Sequence, residues 1–461
     1  MASSQLPLHY LLALKSPYSP LVVLTQSSHE TLNNLHQLLG RVVTCLLYVH
    51  TVLYINFYVL SNLLATKITE WYVICGIVGI LAFTAVGTTA LAPVRKWSYR
   101  VFYVVHVTLA TALLPVLFFH VSHIRIYLYE TAAVYALNVL LRALNSRTLP
   151  STIALIPGTT LLRIEVPLPK TTSETRSWQP GQHAYISLPG HPLSRTFRSN
   201  PFTVASLPAV DGTLRFVARI LDGNTAKLAR RSTATRQTQP LTLEGPYGVT
   251  THPDRLLQYD RILLVAGGVG ATFVVPIYRQ LLADLSPSKG SYRRQKVHFV
   301  WIARSRAEVM WAMPGDKKER EGFTERLSVY LTGSAAANGG FAVGRDAEEE
   351  EDDGGNGKDK TAFGEPDDGI ELEEREKLLD NNNNSTIEPP TSDLLTTHPG
   401  RPDLANLVNR TFSLGHAREK EKVAIVVCGP KSLTAALRAK TERWVVEAGR
   451  EVWFWEEGFA L

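Results

Sequence analysis

The sequence predicts an α-helical transmembrane domain followed by two soluble modules, an antiparallel β-barrel and a parallel-sheet α/β domain. Three observations predict it. Residues 32–142 hold four long apolar stretches with few charges. Residues 150–255 hold short alternating runs separated by Pro and Gly. From residue 256 onward, apolar runs alternate with helical patterns. The 461 residues suffice for two or three domains.

The apolar stretches cover about 36–60, 71–92, 101–121 and 124–142, near the roughly 20 residues a spanning helix needs. Short loops make neighbouring helices antiparallel. Arg95, Lys96 and Arg100 lie between the second and third spans, and Arg142 and Arg147 follow the fourth. The positive-inside rule places that side, and the long C-terminal region with it, in the cytosol. A multi-pass protein of the plasma membrane or an endomembrane is expected. The net charge of +6 comes from such short clusters, not from long basic tracts, so nucleic acid is excluded as a partner.

Cys45, Cys75 and Cys428 form no Cys-x-x-Cys, which argues against a disulfide framework or a zinc site. Residues 1–30 are interrupted by Pro7, Lys15, Pro17 and Pro20 and lack a signal-peptide pattern. They are left unassigned, and residues 31–145 are taken as the transmembrane domain.

In the second part, runs such as Leu161–Val166, Ala184–Leu188 and Leu214–Ile220 read as barrel strands. In the third, Arg261–Ala266, Val297–Ile302 and Val423–Val427 read as buried strands, with helices over 273–282 and 432–446. Strands alternating with helices indicate a parallel sheet spanning 256–461. Residues 335–397 interrupt it with acidic runs and an Asn tract, a composition that points to a disordered insert.

His36 and His50 are fourteen residues apart, as are His106 and His120. Fourteen residues make about 3.9 helical turns, so each pair faces one way, separated by ~21 Å along the axis. The first and third spans run parallel, so the four histidines can clamp two flat ligands, one above the other. Bis-histidine haem fits this arrangement and suits electron transfer, because it leaves no open position on the iron. Ionisable residues in membrane spans are rare and usually functional. His123, three residues past His120, is the competing outer ligand.

Asn200-Pro201-Phe202-Thr203-Val204-Ala205-Ser206 combines an aromatic that can lie on an isoalloxazine ring with a hydroxyl that can reach its edge. Gly223, Asn224 and Thr225 open a helix suited to a diphosphate, or simply to a helix cap. Glu244-Gly245-Pro246-Tyr247-Gly248 reads as a structural turn that closes the barrel. Gly267-Gly268-Val269-Gly270-Ala271-Thr272 stands between a buried strand and a helix, where a pyrophosphate can approach the backbone. Cys428-Gly429-Pro430 ends a strand at the carboxyl edge where open α/β sheets bind ligands.

Together these residues resemble the fungal ferric reductase and NADPH oxidase superfamily, most closely its ferric or metalloreductase branch. The ordered series carries the resemblance: paired histidines, Pro-Phe-Thr-Val-Ala-Ser, Gly-Gly-Val-Gly-Ala-Thr, Val-Trp-Ile-Ala-Arg, Gly-Arg-Pro, Cys-Gly-Pro and a terminal Glu-Glu-Gly-Phe. It implies a ferredoxin-reductase-like pair of modules that bind FAD (150–255) and NADPH (256–461). It implies an inner haem on His36 and His106 and an outer haem on His50 and His120. It assigns Phe202 and Thr203 to the flavin, Gly267–Thr272 to the nucleotide pyrophosphate, and Arg304 and Arg401 to its phosphates. Cys428 would lie beside the nicotinamide, and Phe459 would shield the flavin. The family pattern has His where this chain has Asn200, Ser where it has Gly458, and six or more spans against the four counted here. The activity implied is electron transfer from NADPH through FAD and two b-type haems to a ferric or cupric chelate across the membrane. Dioxygen is the alternative acceptor, and a non-catalytic scaffold is the alternative of a different class.

Overall fold

A computed structural model of the chain describes residues 2–14, 19–25, 29–168, 178–190, 197, 199–221, 223–232, 238–248, 252–285, 296–333, 395–413 and 421–458. Short helix α1 (Leu6–Leu12) precedes four long ones: α2 (His29–Leu60), α3 (Trp71–Thr89), α4 (Tyr99–His120) and α5 (Arg125–Leu144). By length and composition, all four long helices can cross a membrane. Their outer faces show Leu53 and Leu81, more than 60% exposed, a surface suited to lipid rather than water.

The bundle packs through Val43, Leu113, Leu117 and Leu128, and α1 contributes Leu6. Small residues let α3 and α4 approach closely. A Cβ on Gly79 would already touch Leu117 at 3.4 Å. Helix α1 rests against α2 and α5, and the Tyr10 hydroxyl donates to the Ala110 carbonyl at 2.7 Å.

Asn145 alone separates α5 from strand β1 (Ser146–Leu155). The barrel continues with β2 (Leu161–Pro167), β3 (His183–Ser187), β4 (Asn200–Thr203), β5 (Thr213–Arg219), helix α6 (Asn224–Arg230) and β6 (Gln239–Tyr247). The antiparallel order is β4-β3-β6-β1-β2-β5. A bridge between Val204 and Phe216 brings the two edges together, so the barrel is nearly closed. Alternation sends Leu162, Ile164, Val166, Leu214, Phe216 and Leu241 into its core. The expected turn at Glu244–Gly248 is instead the end of strand β6. Strands β1 and β3 flank it, pairing Ser146 and Tyr185 with Glu244. Ladder hydrogen bonds on both sides overrode the Gly-Pro turn signal.

The last module comprises β7 (Arg261–Gly267), α7 (Ala271–Asp284), β8 (Lys296–Ala303), β9 (Leu327–Leu331), β10 (Thr397–Pro399), α8 (Leu404–Ser413), β11 (Val423–Cys428), α9 (Lys431–Val446) and β12 (Val452–Glu457). All six strands are parallel, in the order β10-β9-β8-β7-β11-β12. Most of the expected insert, 334–394, lies outside the described residues. Its predicted end at 397 is corrected: Leu395 is buried in the module core and Thr397 pairs with Val329. A three-residue edge strand is too short to show a period in sequence.

Arg279 on α7 ties this module to the barrel. It forms a bidentate pair with Asp211 at 2.7 and 2.9 Å, and both side chains are mostly buried. Asp211→Ala should cost about 1.5–3 kcal/mol, the range for a hydrogen bond to a charged group. A lower unfolding midpoint of the soluble modules, followed by tryptophan fluorescence, checks this.

Candidate functional site

The ring centroids of His36 and His106 lie 6.2 Å apart, and those of His50 and His120 lie 6.4 Å apart. A metal sits about 2 Å from an imidazole nitrogen and the ring centre roughly 1 Å further back, so two rings on opposite sides of one ion have centres about 6 Å apart. Both pairs meet that distance, so the residues present fit bis-histidine haem. The ring tautomers suit ligation as well. His36 Nδ1 donates to the His9 carbonyl at 3.0 Å, and His120 Nδ1 donates to the Tyr72 carbonyl at 2.6 Å. Each bond leaves Nε2 for a metal and fixes the ring plane. A Cβ on Gly76 would lie 2.6 Å from His120 Cε1, so only glycine admits this ring position. His123 is exposed on the turn Ser122–Ile124, and it is His120 that faces His50.

His9 was not anticipated. Its ring stacks on His36 with centroids 4.0 Å apart and planes 6° from parallel, and its Nε2 donates to the His36 carbonyl at 3.1 Å. No sequence period links residues 9 and 36, so pattern reading could not find the pair.

One continuous cavity of about 3570 Å³ runs from His9, His36 and His106 into both soluble modules. Asn200, Pro201, Phe202 and Thr203 line it, whereas Val204 and Ala205 are core residues. The Ser206 hydroxyl is engaged by Thr213 and Arg215. Asn224 Nδ2 donates to Asn200 Oδ1 at 2.9 Å. Gly223, Asn224 and Thr225 also face the cavity, although the Thr225 hydroxyl caps Leu221.

Further along, Gly267, Gly268, Val269, Gly270 and Thr272 line the cavity, while Ala271 is buried. A Cβ on Gly270 would clash with the Cys428 carbonyl oxygen, so the turn requires glycine for space. Arg304, Arg401 and Gly429 reach the same cavity. Arg219, Lys227 and Lys431 join them, giving a basic wall matched to nucleotide phosphates. Arg219 was unforeseen because its alternation in β5 reads as an ordinary solvated strand position. Cys428 is fully buried, and burial, then Glu457, pushes its thiol up. It is therefore a neutral side chain beneath the nucleotide turn rather than a thiolate. Phe459 lies outside the described residues.

A bundle with two facing histidine pairs, open to a flavin-type barrel and a nucleotide-type sheet, defines a membrane oxidoreductase. The comparisons agree. The family model described as "Ferric reductase like transmembrane component" matches residues 1–130, "FAD-binding domain" matches 146–251, and "Ferric reductase NAD binding domain" matches 259–442. The chain is 24% identical over 94% of its length to the probable metalloreductase AIM14 of Meyerozyma guilliermondii, of which it covers 77%. It is 27% identical over 94% of its length to that of Yarrowia lipolytica, covering 81%. It is 26% identical over 65% of its length to ferric reductase transmembrane component 1 of Schizosaccharomyces pombe, covering 57%, so it spans little more than half of that relative. Ferric reductase family models thus match both the membrane region and the nucleotide module, and the chain is an oxidoreductase.

Two outcomes follow from this geometry. Gly270→Ala should slow flavin reduction by the nicotinamide nucleotide roughly a hundredfold, as expected for a misplacement near 1 Å, read by stopped-flow absorbance. Cys428 should resist N-ethylmaleimide in the folded protein at a pH of about 8.5, where an ordinary thiol is half ionised. It should react once the chain is unfolded, as mass spectrometry would record.

Proposed function

We propose that the chain is a transmembrane NADPH-dependent metalloreductase, passing electrons from NADPH through FAD and two b-type haems to an extracytosolic ferric or cupric chelate. The observation that carries this reading is the two histidine pairs at iron-spanning distance, the inner one opening onto the cavity that also contains the nucleotide turn. A bound flavin turns a two-electron donor into single-electron steps, and bis-histidine haem relays them.

His36 and His106 would hold the inner haem, and His50 and His120 the outer one. Phe202 and Thr203 border the space for the flavin ring, with Asn200 and Asn224 joined beside it. The backbone of Gly267–Gly270 and the N-terminus of α7 would receive the NADPH pyrophosphate. Arg304 and Arg401 would favour NADPH over NADH by pairing with the 2′-phosphate. Gly429 would face the nicotinamide, with Cys428 buried behind it. The basic residues Arg95, Lys96, Arg100, Arg142 and Arg147 support a cytosolic side for the soluble modules, with the helices in the plasma membrane or an endomembrane. Relatives named as metalloreductases support a metal chelate as acceptor.

Membranes containing the protein should show a b-type haem band on reduction by NADPH, and His50→Ala with His120→Ala should remove about half of it. Ferric chelate reduction should persist without oxygen and in the presence of superoxide dismutase. Activity abolished by the dismutase would identify dioxygen as the acceptor instead. No haem band at all would leave a scaffold protein.

A further inference from the structure

Bundle and barrel meet at a joint one residue long, Asn145 between α5 and β1. A bidentate ion pair crosses it. Arg142 donates from Nε to Glu244 Oε1 at 2.7 Å and from Nη2 to Oε2 at 3.0 Å. Glu244 is only 2% exposed and also accepts the Tyr247 hydroxyl at 2.7 Å. Ser146, the cross-strand partner of Glu244, donates its hydroxyl to the Arg142 carbonyl at 2.8 Å. The Gly245 amide donates to the Asn145 carbonyl at 3.3 Å. A second contact lies nearby, where Tyr103 of α4 meets Phe197 of the barrel with ring centres 6.0 Å apart.

A single-residue linker by itself permits rotation of the barrel about α5. Two parallel charge-assisted hydrogen bonds have fixed direction as well as strength and remove that freedom. A buried ion pair is weak evidence for stability, since an apolar replacement is often as stable. What it supplies here is orientation.

We propose that Arg142, Glu244 and Tyr247 are positioning residues that set the angle and distance between the flavin barrel and the inner histidine pair. Electron delivery into the bundle then depends on them, while hydride acceptance at the barrel does not. This rests on the reading given under "Proposed function".

The test uses the full chain in detergent, without added cofactors. Spin labels go on Cys45, which is exposed, and on Val210→Cys, at a site that is 70% exposed on the barrel. Cys75 and Cys428 are buried. The distance distribution between labels should be narrow in the parent, broad in Glu244→Gln, and narrow again when Arg142→Glu is combined with Glu244→Arg. In cofactor-loaded protein, Glu244→Gln should slow haem reduction by NADPH roughly tenfold or more. NADPH reduction of a dye that takes electrons directly from flavin should be unchanged. An unaltered distance distribution would overturn the proposal, as would dye and haem reduction falling in step. If the parent itself shows no haem band, the electron-path reading fails, and the label distances still decide the joint.

Discussion

The structure depends on holding two imidazole rings with centres little more than 6 Å apart, twice, inside helices whose backbone groups are already committed. In lipid every peptide group must be satisfied within its own helix, so ring position has to be set by side-chain contacts and by carbonyls with a lone pair to spare. The Tyr72 carbonyl, in the first turn of α3, orients His120. The His9 carbonyl orients His36, and the His9 ring covers it. Gly76 clears the space that the His120 ring occupies. Each detail serves a distance that varies by only 0.2 Å between the two pairs.

The soluble modules obey a similar constraint by other means. A nucleotide turn requires backbone close to backbone, and three glycines achieve it where β7 and β11 run side by side. A Cβ on Gly267 or Gly270 would clash, and one on Gly429 would lie only 3.1 Å from the Gly267 backbone. The same crowding buries Cys428 and keeps its thiol neutral. Around this rigid centre the basic groups arrive from separate elements: Arg219 from β5, Lys227 from α6 and Lys431 from α9.

Legibility followed physical range. The histidine spacing is a property of one helix at a time, and the helical period carries it. The Gly-rich turn and the strand before it are also local. By contrast, His9 with His36, Arg142 with Glu244 and Arg279 with Asp211 join residues 27, 102 and 68 positions apart. Glu244 in particular sat in a Gly-Pro context that reads as a turn, and only pairing on both sides made it a strand. Strands β9, β10 and β12 were missed because edge and short strands lack a clear period.

The sequence by itself determined the membrane helices, the barrel-then-parallel-sheet order, the four histidines and the phosphate-type turn, because apolar length, alternation and glycine placement act within a few residues. Tertiary structure alone decided that His9 stacks on His36, which basic groups line the cavity and how the barrel hangs from the bundle. Those depend on side chains brought together by packing, and no local pattern records a partner that lies a hundred residues away.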